Sequence, residues 1–344
     1  MGKYKSIAVI YGSDTLEWEI SCRSGQYVAS GIDKEAYDVY EVFARFGKWS
    51  LVSSCVSGGE RVEFPEDARP EIDKNDFSVA VDGGKIKFDY AFIVQHGAPG
   101  ETGQLQGYLE MLRVPYSTCS AFVSAVAFDK YACKRFIEGG NHVGLAGDAL
   151  VVRGMDVERT SEDLVKKLGL PLFVKPSAGG SSFGITKVKT ASQMPDALRL
   201  ALKEGETAIV EQALTGREFT CAVFFDGSGP CALPVCEIIS ENEYFDYDAK
   251  YNGLSREECP ADAPVEMTEH IQSVSERIYT RLGCRGLVRF DYIYAEDGLY
   301  FLETNTIPGM TAVSHVPKML AAAGISPKDF FTVIIENSCR DENS

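Results

Sequence analysis

The sequence predicts an α/β protein, α+β by domain, of three consecutive domains over residues 1–118, 119–211 and 212–344, the first an open α/β sheet. Three observations carry this prediction. A chain of 344 residues exceeds what one hydrophobic core ordinarily organises. Through the first third, short strand-like apolar runs are interspersed with helical patterns. From Cys119 onward the pattern changes to strands around a Ser/Gly loop, then to long strands and a closing hairpin.

In the first region SIAVIY (6–11), YDVYEVFA (37–44) and YAFIVQHG (90–97) read as strands, with helical stretches near 24–32 and 103–112. FSVAVDGGKIKF adds a hairpin, its turn supplied by Asp-Gly-Gly. Ligand loops of such sheets lie beyond the carboxyl ends of the strands, where YGSDTLEWE and QHGAPGETG fall. The second region opens with one helix over SAFVSAVAFDKYACKRFIEGG, stopped by Gly-Gly, and a second over SEDLVKKLG with Ser161 as N-cap. Two strands then flank the loop of PLFVKPSAGGSSFGITKVKT, followed by helix 192–204 and the strand TAIVEQAL. The third holds REFTCAVFFDG, GPCALPVCEII, the polar Tyr-rich segment ENEYFDYDAKYNG, helix 268–282, the hairpin and two helices.

Composition removes several function classes. A net charge of −16 argues against a nucleic-acid backbone or an anionic membrane as the main partner. No run of eighteen apolar residues occurs, and the start MGKYKSIAVIYGSD lacks a signal-peptide pattern, which points to a cytosolic protein. Ten cysteines without a CxxC pair, most within apolar runs, read as reduced core thiols. With four histidines and no HExxH, a bound metal is expected on oxygen ligands.

The hairpin VRFDYIYAEDGLYFLETNTIPG carries the sharpest signal. A three-residue turn, Glu296-Asp297-Gly298, sets Asp291 opposite Glu303 and Arg289 opposite Asn305, all on one face. Val288, Phe290, Tyr292, Tyr300 and Leu302 then face the core. Opposed carboxylates repel unless a cation lies between them, and an Asp/Glu/Asn oxygen set suits Mg²⁺ or Mn²⁺, usually with phosphate. A two-residue Asp297-Gly298 turn would instead split the set, and a solvent-facing polar sheet face would carry the same residue types.

Other segments supply complementary chemistry. Lys175 ends an apolar strand just before PSAGGSSFG, whose bare amides suit phosphate oxygens, although the order is not that of a Walker A loop. Lys130 lies on an amphipathic helix and would equally suit a solvated helix face. His96 and Glu101 flank a strand end, His96 as a base, a hydrogen-bond donor or a loop residue capping a helix. Glu17 and Glu19 follow the first strand, where a carboxylate can hold an ammonium group. Lys250 and Tyr251 sit in the long polar segment, a lid or an ordinary loop.

In this order HGAPGETGQLQG, FDK, VKPSAGGSSFG, EQALTGREF, YDAKY and ETNTIPGM resemble the D-alanine–D-alanine ligases of the ATP-grasp superfamily, from about residue 6 to 335. The resemblance implies a three-domain ATP-grasp fold that grips ATP between its last two domains. It also implies a cytoplasmic homodimer supplying a peptidoglycan precursor. Its implied reaction makes an acyl phosphate of one D-alanine with ATP, which the amine of a second D-alanine attacks.

By motif position, Glu17 would hold the first ammonium, and Lys130, Lys175 and Lys250 the ATP phosphates. Glu211 and Glu218 would take the adenine and ribose ends, and Asp291, Glu303 and Asn305 two Mg²⁺ ions. Arg289 and the Gly309 amide would form the oxyanion hole, and Ser314 would hold the second carboxylate. Ser181 and Tyr251 would join Glu17 in a network closing the lid, leaving either that network or His96 to handle the proton of the second amine, with His96 otherwise a hydrogen-bond donor to the second substrate. Gly179 stands where many members carry Glu, and GlyGluThrGly replaces GlyGluAspGly. A D-alanine–D-lactate or D-alanine–D-serine ligase is the alternative within the family. A silent ATP-binding regulator has no need of Arg289.

Overall fold

The structure, a computed structural model, describes residues 4–140, 143–180, 184–240 and 255–338. The elements of the first region are β1 (Ser6–Gly12), α1 (Trp18–Gly31), β2 (Asp38–Arg45), β3 (Lys48–Cys55), β4 (Arg61–Glu63), β5 (Ile72–Asp73), β6 (Ser78–Val81), β7 (Gly84–Lys87), β8 (Tyr90–Ile93) and α2 (Gln104–Met111). One sheet runs β4-β3-β2-β1-β8, with β1 parallel to both β2 and β8. The strand order therefore reverses at β1, and the loops after β1 and β8 open side by side. The three predicted strands and the hairpin appear, but β3 and β4, whose Ser-rich and charged residues mask the alternation, were not expected.

In the second region α3 (Ala121–Phe128) and α4 (Lys130–Ile137) replace the single helix expected over 120–140. The break falls at Asp129, whose carboxylate accepts from the Ala132 amide at 2.9 Å and from the Ser177 hydroxyl at 2.6 Å. Asp129 thus caps a new helix and ties its start to the loop after the Lys175 strand. There follow β9 (Gly144–Leu145), β10 (Asp148–Val152), α5 (Val157–Leu168), β11 (Leu172–Pro176), β12 (Thr186–Val188), α6 (Met194–Glu204) and β13 (Thr207–Gln212). The N-cap of α5 is Asp156 and not Ser161, which lies inside the helix and donates to Val157 O. Asp156 accepts from two first-turn amides, which a residue five positions into the helix cannot do.

The third region comprises β14 (Arg217–Phe225), β15 (Pro230–Ala232), β16 (Cys236–Ser240), β17 (Ser255–Glu258), α7 (Val265–Leu282), β18 (Leu287–Ala295), β19 (Gly298–Asn305), α8 (His315–Ala323) and α9 (Pro327–Asn337). Its sheet runs β17-β16-β14-β18-β19-β9, with β15 on β14, while β10-β13-β11-β12 forms a separate four-stranded sheet. Cys236 and Cys259 are disulfide-linked, contrary to the all-reduced expectation. The pairing of Glu237 with Glu258 brings these two cysteines opposite each other, a proximity that spacing alone did not reveal.

Both faces of the long-stranded sheet are covered. Phe219, Cys221, Phe290, Tyr292 and Phe301 pack against α7, α3 and α4, while Ala222 and Phe224 face α8, α9 and, beyond them, the first sheet. Burying each large apolar side chain contributes about 1.5–3 kcal/mol, so the polar residues on this sheet sit on a rigid floor. Among the described residues no helix is long and apolar enough to cross a membrane.

Candidate active site

The hairpin β18–β19 forms the floor. Asp291 pairs with Glu303 and Arg289 with Asn305, as expected, but the connection is Glu296-Asp297 with Ala295 opposite Gly298, not a three-residue turn. A register shift between Asp291 and Tyr292 restores the pairing, because β19 gains one residue there. The bulge also exchanges faces. Leu299 and Phe301 are buried in the core, whereas Tyr300 and Leu302, assigned to the core from the sequence, are only partly buried, and Tyr300 donates to Asp297 at 2.8 Å.

Arg289 donates to both Asp291 oxygens, from Nε at 2.9 Å and Nη2 at 2.8 Å. Burial works against its charge, but Asp291 and then Glu303 outweigh it and hold the guanidinium firmly ionised. Lys130, the first residue of α4, lies 3.3 Å from Glu303 and donates to Gly179 O at 2.8 Å. The break at Asp129 aims Lys130 at the hairpin face rather than along a solvated helix face. Asn305 Oδ1 accepts from the Ile307 amide at 2.9 Å.

These residues fit a divalent cation by donor chemistry: two carboxylates and an amide oxygen share one strand face. Thr220, fully buried on β14 and opposite Asp291, has a hydroxyl with no partner in the structure, a buried polar group awaiting one. Among the described residues no three His, Cys, Asp or Glu side chains gather as a metal cluster, so the set rests on Asn305 as third donor.

The four-stranded sheet supplies a second group. Lys175 on β11 lies 2.6 Å from Glu211 on β13, whose other oxygen accepts from Lys134 at 2.7 Å. Burial alone would raise the Glu211 pKa, but Lys175 and Lys134 bring it down to about 2. For Lys175 the desolvation cost is more than offset by Glu211, and its pKa is raised. Lys134 and its other partner Asp148 were not picked out by the sequence reading, although the four-residue spacing from Lys130 places both lysines on one helix face. Glu218 is half-buried on β14, opposite Ile293, along the face that carries Asp291.

The loops of the first sheet form the third wall. Asp14 donates its amide to Ala98 O at 3.1 Å and Thr15 its hydroxyl to His96 O at 3.2 Å, locking the β1 and β8 loops together. Gly97 adopts a φ of +73° where an added Cβ would lie 2.6 Å from Thr15, so only glycine suits that joint. Glu17 is half-buried at the start of α1 and Glu19 is exposed. A Cβ on Gly180 would lie 2.9 Å from Glu17 Oε2, so the Ser/Gly loop after β11 reaches the Glu17 carboxylate.

His96 is buried and engaged through both ring nitrogens. Nδ1 lies 2.9 Å from Ile307 O, and Nε2 3.1 Å from the Ser24 hydroxyl, which also accepts from the Met310 amide at 3.2 Å. A carbonyl can only accept, so the proton sits on Nδ1, and Ser24 donates to Nε2. Desolvation lowers the His96 pKa against the pull of Glu17. Together Ser24 and His96 hold the Ile307–Met310 turn, with Gly309, against α1. Ser24→Ala is expected to destabilise the protein by about 1–3 kcal/mol in urea denaturation, since it strands the Met310 amide and His96 Nε2.

Glu101, 8% exposed, accepts from the Gly97 amide at 2.7 Å. Burial first and the Glu17 charge second push its pKa up to about 8. Ser314 is the N-cap residue of α8, and a Cβ on Gly309 would lie 3.0 Å from its hydroxyl, which places these two predicted residues together. Ser181, Lys250 and Tyr251 lie outside the described residues. The structure thus brings Lys130, Arg289, Asp291, Glu303 and Asn305 together on the hairpin face and Lys175 onto Glu211, with Glu17 reached by the loop after β11 and His96 held on the Ile307 carbonyl.

Known proteins are similar to this chain in sequence and in fold. Residues 6–119 match the model of the D-Ala-D-Ala ligase N-terminus and residues 148–336 that of its C-terminus. The chain is 41% identical over 334 residues to a D-alanine–D-alanine ligase of Phocaeicola vulgatus, covering 97% of this chain and 99% of that protein. It is 41% identical over 341 residues to one of Parabacteroides distasonis, covering 99% of each. Among solved structures, the VanG D-Ala:D-Ser ligase of Enterococcus faecalis superposes with a TM-score of 0.83 at 29% identity, over 96% of this chain and 99% of that one. D-alanyl-alanine synthetase A of Vibrio cholerae gives 0.83 at 26%, over 97% and 98%. Two family models that together match most of the chain, and 41%-identical relatives matched over nearly its whole length, show that the chain belongs to the D-alanine–D-alanine ligase family.

Proposed function

We propose that the protein is an ATP-dependent carboxylate–amine ligase that joins two D-alanine molecules, releasing ADP and phosphate, to supply a peptidoglycan precursor. The observation that carries this reading is the hairpin face, where Arg289, Asp291, Glu303 and Asn305 meet Lys130. Transfer of the γ-phosphoryl group to a carboxylate oxygen joins two anions, so cationic groups must stand in place beforehand. Lys130 and Lys175 approach the cleft from two elements and suit the phosphates, with Lys250 as their expected companion. Bound at Asp291, Glu303 and Asn305, two Mg²⁺ ions, or Mn²⁺, would supply charge neutralisation of the phosphates.

Glu17 holds the ammonium of the first D-alanine, so that its carboxylate points towards the hairpin. Arg289 and the Gly309 amide then stabilise the oxyanion formed when the second amine attacks the acyl phosphate and phosphate leaves. Ser314, at the amino end of α8, suits the second carboxylate. With both His96 nitrogens held inside the protein, the amine's proton is assigned to the network of Glu17, Ser181 and Tyr251, and His96 to keeping the Gly309 turn in position. Glu211 and Glu218 line the nucleotide end. The division at 118 and 211, the homodimer and the cytoplasmic location belong to the same reading.

Incubation with Mg·ATP and D-alanine, with D-lactate and D-serine as competing second substrates, tests it. ADP and D-alanyl-D-alanine are the expected products. No ADP with any D-amino acid would sink the ligase reading. The likeness to a D-Ala:D-Ser ligase keeps D-serine as the second reading, and the mixed dipeptide as principal product would favour it.

A further inference from the structure

We propose that Lys134 is a positioning residue of the nucleotide site: it neutralises Glu211 so that Lys175 can leave that carboxylate for a phosphate. The inference rests on reading this cleft as an ATP site. Asp148 and Glu211 stand directly opposite each other on β10 and β13, an arrangement of like charges that is costly without a cation. Lys134, fully buried, supplies it, with Nζ 2.8 Å from Asp148, 2.7 Å from Glu211 and 3.1 Å from Ala146 O. All three ammonium hydrogens are spent on the protein, so Lys134 has none left for a ligand.

Charge balance gives it a role beyond packing. Lys134, Lys175 and Arg135 face Glu211 and Asp148, and Arg135 holds Asp148 at 3.0 Å. Arg135 also pairs with the exposed Glu138 at 3.3 Å, so the surplus of one cation, three against two, is counted among the groups that touch the buried Glu211 and Asp148 carboxylates. Lys175, 2.6 Å from Glu211, can therefore turn to a phosphate without leaving a bare buried carboxylate. Without Lys134 the cations and anions match, Lys175 becomes the counter-ion of Glu211, and its withdrawal strands a buried charge.

The test is ADP binding in the presence of Mg²⁺, measured by calorimetry on the full chain, alongside steady-state kinetics. Lys134→Met is expected to weaken ADP binding about tenfold or more and to raise the ATP KM, with the D-alanine KM within about threefold of wild type. Lys134→Arg, which keeps the charge, is expected to bind ADP within about threefold of wild type. In a Glu211→Gln background, where Lys175 has no carboxylate to leave, Lys134→Met is expected to cost less than about threefold. An equal loss in both backgrounds, or wild-type affinity in Lys134→Met, would overturn the inference alone. Failure of the wild-type protein to bind ADP would overturn the ATP reading and the inference with it. Should Lys134→Met not fold by itself, the double variant against Glu211→Gln decides, and ADP binding weaker by about tenfold would overturn the proposal.

Discussion

Asp291→Asn and Glu303→Gln are each expected to lower ligase turnover by about 10²–10³-fold or more while the protein stays folded. Each change removes one negative charge from the hairpin face and almost no volume. The amide introduced by Asp291→Asn would still offer Arg289 an oxygen acceptor, and Glu303 would still help to balance the guanidinium. The stability cost is therefore expected at about 1–3 kcal/mol, below the total stability of an ordinary domain. ADP release measures turnover, and circular dichroism with thermal melting measures folding. A folded Asp291→Asn or Glu303→Gln protein with wild-type rates would show that this face holds no metal and no phosphate.

Glu101→Gln is expected to remove a pH dependence of stability. The carboxyl of Glu101 is raised to about 8 by burial and by Glu17, against an ordinary unfolded value of about 4.3. Below the unfolded value both states are protonated, and the contribution of Glu101 is fully present. As pH rises from there towards 8 the unfolded chain loses this proton first, so stability falls by about 1.4 kcal/mol per pH unit. Glu211, and Glu257 on β17, which His315 and Lys318 hold down, are both lowered to about 2 and act at the other end: their stabilisation is present above the unfolded value and lost as pH falls through 2. Urea denaturation at pH 5, 6, 7 and 8 should show a declining alkaline limb in the wild type and a flatter one in Glu101→Gln. Parallel limbs would mean that Glu101 is ionised in the folded protein.

Residue types disclosed much of this. The apolar runs SIAVIY and YAFIVQHG, and the loops that follow them, led to the adjacent strand ends where Thr15 meets His96. The hairpin gave up its Asp291–Glu303 pairing but not its means, because a bulge leaves no mark in a run where either face can be apolar. Asp129 looked like one polar residue inside an amphipathic helix until Ser177, distant in sequence, claimed its carboxylate. The pairing of Cys236 with Cys259 was hidden for the same reason, since it depends on which residue stands opposite Glu237.

The sequence by itself determined the family, most of the elements and the residue types proposed for metal, phosphate and oxyanion binding, because those features are local in the chain. Only the tertiary structure decided that His96 is held at both nitrogens, that Glu101 keeps its proton and that Lys134 balances Glu211. Each of those depends on burial and on partners distant in sequence, since the cost of a charge is set by whatever the fold brings to within hydrogen-bonding distance of it.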